Sequence, residues 1–158
     1  MNSDVIEEMM AFLIERGIPC RREALAEPGF LPGLQIDHGT LLIDPAQLKW
    51  PGDILHEAAH IALAPPSRRG QLKGKLEITP AEEMAALAWS FAAAVSAGID
   101  PAIVFHEGGY KRGGAQLIEQ FSSGIPPGGP GVPMLQWYGL TSDFPRMDSW
   151  VRESEAPV

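Results

Sequence analysis

From Ile54 to Leu63 the chain is apolar at every position but three, and those three are His56, Glu57 and His60. A run of this kind, with no two-residue alternation, is predicted to be a buried helix. Trp50-Pro51-Gly52-Asp53 gives its start, with Asp53 as the expected N-cap, and Pro65-Pro66 gives its stop. On a helix, positions i and i+4 lie one above the other, so both imidazoles face the same way. Two imidazoles and a carboxylate are costly to bury unless something satisfies them, and a divalent metal would do so.

The word H-E-x-x-H carries a specific chemistry. Zinc suits two neutral imidazoles plus a harder third ligand, with one position left for water. Glu57 follows the first histidine, where it can act on that water as a general base. With four histidines in 158 residues, chance would produce the word in roughly one sequence in a hundred. The alternative is a helix holding two unrelated histidines.

A third ligand is available downstream. Thr79-Pro80-Ala81-Glu82-Glu83 opens an Ala-rich run to Ala97, with Thr79 as N-cap, Pro80 at the first helical position and acids in the first turn. Zinc enzymes with a glutamate ligand carry E-x-x-A on a second helix, and both Glu82 and Glu83 fit that wording. Met84, Leu87, Ala88, Phe91 and Val95 form the expected apolar stripe. Glu83 lies on its flank beside Leu87, whereas Glu82 points away, so Glu83 is the expected ligand.

With these residues in place, the chain resembles the ImmA/IrrE-type metallopeptidases of bacteria and phages. The likeness covers about residues 30 to 100. It rests on His56-Glu57-Ala58-Ala59-His60, on Glu83 with the Ala/aromatic helix behind it, and on a hairpin-like stretch from Gly33 to Asp44. It implies a zincin-like metallopeptidase fold with His56, His60 and Glu83 as zinc ligands and Glu57 as catalytic base. It also implies a peptide or protein substrate. The same three ligands could instead serve a non-catalytic, metal-dependent peptide-binding or regulatory module. Ala-Ala-Leu-Ala-Trp follows Glu83 where the family commonly has Ala-Asn-x-Phe-Ala, and no helix-turn-helix segment is present.

Elsewhere the pattern is α+β, a helical core with a small antiparallel sheet. Asp4 to Arg16 reads as an amphipathic helix closed by Gly17, and Ile18 to Arg22 as a short strand. Leu34 to Asp37 and Thr40 to Asp44 read as strands joined by a two-residue turn at His38-Gly39. His106 and Tyr110, near Gly108 and Gly109, are candidates for stabilising an oxyanion at the metal, with a surface turn after a helix as the alternative for each. Ser122 to Pro133 is a long Gly/Pro loop expected to flank the cleft. Residues 1–150 are expected to form one domain, with residues 151–158 as a flexible tail.

Charge and composition exclude several classes. A net charge of −8 disfavours nonspecific binding to nucleic acid or anionic membranes. The local cluster Arg68, Arg69, Lys73 and Lys75 reads as a solvated loop, with guidance of an acidic substrate as the alternative. No stretch is long and apolar enough for a membrane span, and the N-terminus lacks the basic start of a secretion signal. The single cysteine, Cys20, forms no internal disulfide and reads as a packing residue. A cytoplasmic protein is the expectation.

Overall fold

The computed structural model describes residues 2–26, 31–110, 113–123 and 131–155. It is a mixed α+β architecture, roughly half helical, with one three-stranded sheet. Helix α1 spans Asn2–Glu15. Ile6, Met9, Phe12 and Leu13, three and four residues apart, are buried against the core. Gly17, at φ 84°, turns the chain after it.

Strands β1 (Cys20–Arg22), β2 (Leu34–Asp37) and β3 (Thr40–Ile43) follow. β2 and β3 are an antiparallel hairpin in which Leu34 faces Ile43 and Ile36 faces Leu41. His38 and Gly39, at φ 51° and 79°, form the turn. Both central residues therefore hold the positive φ that suits a tight hairpin. The sheet departs from the all-antiparallel expectation, because β1 pairs with β3 in parallel and the order is β1-β3-β2. The chain between Arg22 and Thr40, which contains β2, supplies the long connection that parallel pairing needs.

Two helices form the centre. Helix α2 spans Asp53–Leu63 and helix α4 spans Pro80–Ala97. A short helix α3, Pro66–Arg69, lies between them. α2 begins differently from the sequence expectation: Gly52 holds the N-cap position and Asp53 is the first helical residue. A Cβ on Gly52 would lie 2.0 Å from the Ile103 carbonyl oxygen, so only glycine fits this approach. α4 is buried on all sides from Ala85 to Ala94, and its alanines let neighbouring helices come close. Two members of the expected stripe, Met84 and Val95, are instead 37 % and 46 % exposed, because they lie outside that enclosed stretch.

Helices α5 (Pro101–Val104), α6 (Glu107–Tyr110), α7 (Gly113–Ser123) and α8 (Val132–Trp137) complete the fold. The expected Gly/Pro loop is thus helical at both ends, and residues 124–130 lie outside the described residues. Within the expected tail, Arg152 and Glu155 hydrogen-bond back to the body of the fold. Arg152 is buried; its backbone N–H donates to the Ala62 carbonyl and its guanidinium to that of Leu63. Arg69 donates to the carbonyls of Ile61 and Ala64. Together they satisfy the carbonyls that the end of α2 leaves without helical partners. Residues 156–158 lie outside the described residues. Among the described residues, no helix is long and apolar enough to cross a membrane.

Candidate metal centre

α2 packs directly on α4, and this contact positions the site. His56 and His60, one helical turn apart, present ring nitrogens towards the first turn of α4. There Thr79 forms a capping box: its hydroxyl accepts from the Glu82 N–H, and the Glu82 carboxylate accepts from the Thr79 N–H. Capping occupies Glu82 and leaves Glu83, 100° further round the helix, to face the histidines. Glu83 Oε1 lies 2.5 Å from His56 Nε2 and 3.8 Å from His60 Nε2.

Ligand atoms of His56, His60 and Glu83 all lie within 4.8 Å of one another. Donors on a tetrahedral zinc are separated by about 3.3 Å, given metal–ligand distances near 2.0–2.1 Å. Two imidazole nitrogens and a carboxylate oxygen at this spacing therefore fit one divalent ion, with small side-chain adjustments.

The electrostatics follow from burial. Burial alone would lower the pKa of His56, but the hydrogen bond and charge of Glu83 outweigh it and raise the value above the ordinary one. Glu83 is correspondingly lowered, first by its bond to His56. His60 is pushed down to about 4, by burial and then by the charge of His56. Its ring is neutral at pH 7, the form in which an imidazole nitrogen offers a lone pair to a metal. Glu57 is raised to about 7, chiefly by burial, with Asp53 and Glu83 adding to the effect and His56 opposing it.

These groups open into a cleft of about 790 Å³ whose polar wall carries Asp53, His56, Glu57, His60 and Glu83. Glu57 thus lies on the cleft wall beside His56, His60 and Glu83. His106 takes a different place from the one expected. Its Nε2 lies 2.7 Å from Asp53 Oδ1, its ring stacks on Trp50 at 4.4 Å, and it is not among the residues lining the cleft. The group presented to the cleft is Asp53, with His106 holding it from behind. The backbone of Tyr110 ends α6, and its side chain lies outside the described residues.

Asp53 is the site residue that a cap assignment conceals. Its spacing holds the signal: His56 and Glu57 stand three and four residues beyond it and share its helical face. The basic cluster also divides. Arg69 turns inward to cap α2, while Arg68, Lys73 and Lys75 stay exposed.

Compared with protein-family models, with curated proteins and with solved structures, the chain matches none. The site itself carries the functional reading.

Proposed function

We propose that this protein is a zinc-dependent hydrolase of zincin-like fold, allied to the ImmA/IrrE-type metallopeptidases, that cleaves a peptide or protein substrate. One observation carries the reading. Three donor atoms of the right chemistry converge from α2 and α4, with the Glu57 carboxylate alongside, at the wall of a substrate-sized cleft.

His56, His60 and Glu83 would hold the ion. When bound, it supplies Lewis acidity, lowering the pKa of water from about 15.7 towards about 7 and polarising a substrate carbonyl. Glu57 takes the proton of the attacking water and returns it to the amine of the cleaved bond. Burial of its carboxylate, which raises its pKa to about 7, is an enclosed setting of the kind in which general bases are found. Asp53 and its partner His106 brace the wall from which Glu57 projects. A reducing cytoplasm, which suits the lone thiol Cys20, is the location that goes with this reading.

The test pairs metal content with turnover. Zinc-loaded wild-type protein should cleave members of a mixed peptide library, and a chelator should abolish the cleavage. Glu57→Gln should retain one zinc per chain while losing about 10²- to 10⁴-fold in rate, the usual contribution of a general base. No chelator-sensitive cleavage by the wild type, or undiminished cleavage by Glu57→Gln, overturns the proposal.

A further inference from the structure

The cleft lining is chemically mixed. Beside the carboxylates and imidazoles, Leu31, Leu76, Ile78 and Leu87 also line it. Leu87 lies one turn beyond Glu83 on α4, so apolar surface begins directly beside the third ligand position. Leu31, Leu76 and Ile78 are only partly buried. Their remaining surface is therefore available to a bound molecule, whose apolar groups would displace water from it.

Lys75 is the one lysine or arginine among the described residues lining the cleft, beside Asp53, Glu57 and Glu83. Gly109, also on the wall, adds no side-chain bulk. A Cβ there would only touch the His106 ring, at 3.4 Å from Cε1.

Building on the hydrolase reading, we propose that the Leu31–Leu76–Ile78–Leu87 wall is the specificity surface of the site. It selects substrates with a bulky, uncharged apolar side chain next to the hydrolysed bond. The Leu76–Ile78 segment makes the discriminating contacts, because both of its apolar side chains line the cleft while Leu87 belongs largely to the core.

Binding of N-acetylated amino-acid hydroxamates to the zinc-loaded wild-type protein, measured by calorimetry, tests this independently of turnover. The leucine and phenylalanine hydroxamates should bind about ten- to a hundredfold more tightly than the glycine one, the discrimination typical of an apolar pocket. The aspartate hydroxamate, whose carboxylate gains nothing from an apolar surface, should bind no more tightly than the glycine one. Leu76→Ala/Ile78→Ala should shrink the apolar advantage to below about threefold, and Ile78→Lys should raise relative affinity for the aspartate probe about tenfold or more. Equal affinities across the series, or no hydroxamate binding to protein that carries zinc, overturns the specificity surface and leaves the metal site standing. Failure to take up zinc at all overturns the hydrolase reading, and this inference falls with it.

Discussion

Replacing His106 with phenylalanine removes its hydrogen bond to Asp53, which makes it a probe of the wall behind the site. The phenyl ring can keep the stack on Trp50, where the rings are 5° from parallel. The substitution removes the 2.7 Å contact from Nε2 to Asp53 Oδ1, between side chains 8 % and 10 % exposed. A hydrogen bond to a charged group contributes about 1.5–3 kcal/mol net, and stranding one member of a buried pair costs about 3–5 kcal/mol. Taking about 3 kcal/mol, and about 2–4 °C per kcal/mol for a chain of this size, Tm should fall by roughly 6–12 °C. A near-isosteric packing change alone would cost less than about 1.5 kcal/mol. Thermal and urea unfolding of metal-free protein separates the two cases. Asp53→Ala placed on top of His106→Phe should restore much of the loss, since the stranded carboxylate is then gone. A loss below about 1 kcal/mol, or a double variant no more stable than His106→Phe, would refute the claim that these side chains form an energetically coupled pair.

Two further outcomes are expected. Burial raises the Cys20 thiol from 9.0 to about 11, so at pH 8 its thiolate fraction should be roughly a hundredfold below that of the unfolded chain. A thiol-reactive dye should therefore modify native protein about a hundredfold more slowly than protein in urea, and rates within a factor of three would contradict the burial. Arg152→Ala removes guanidinium bonds to the carbonyls of Leu63, Ser154 and Glu155 and a stack on Tyr138 at 4.3 Å. It should cost about 2–3 kcal/mol by urea unfolding, and a change below about 0.5 kcal/mol would mean that the C-terminal segment does not anchor α2.

What could be read from the sequence is local, and what could not is long-range. α1, the His38-Gly39 hairpin, α2 and α4 announce themselves through periodicity, turn chemistry and caps that depend on neighbours within a few residues. Glu83 could be chosen over Glu82 because helical angle is also a local quantity, although the stripe that gave the angle was wrong at Met84 and Val95. The capping box at Thr79 supplies the sounder reason. By contrast, β1 pairs in parallel with β3 through contacts separated by about twenty residues, and nothing in Ile18 to Arg22 specifies that partner. The Asp53–His106 pair spans 53 positions. Asp53 read alone suits an N-cap, and only the approach of Ile103 to Gly52 shows why glycine takes that place. Arg152 resembled a solvated tail residue because the carbonyls it serves belong to a helix end nearly ninety residues earlier.

Zinc titration of Glu82→Gln and Glu83→Gln beside the wild type tests the central claim most directly. Glutamine preserves a capping box, so Glu82→Gln should keep α4 intact and bind one zinc per chain with near wild-type affinity. Partners of metal ligands typically contribute 10- to 100-fold in affinity, so losing a ligand itself should cost more than about a hundredfold, and Glu83→Gln should show that loss while remaining folded. Wild-type zinc affinity in Glu83→Gln, or a loss confined to Glu82→Gln, would contradict the account.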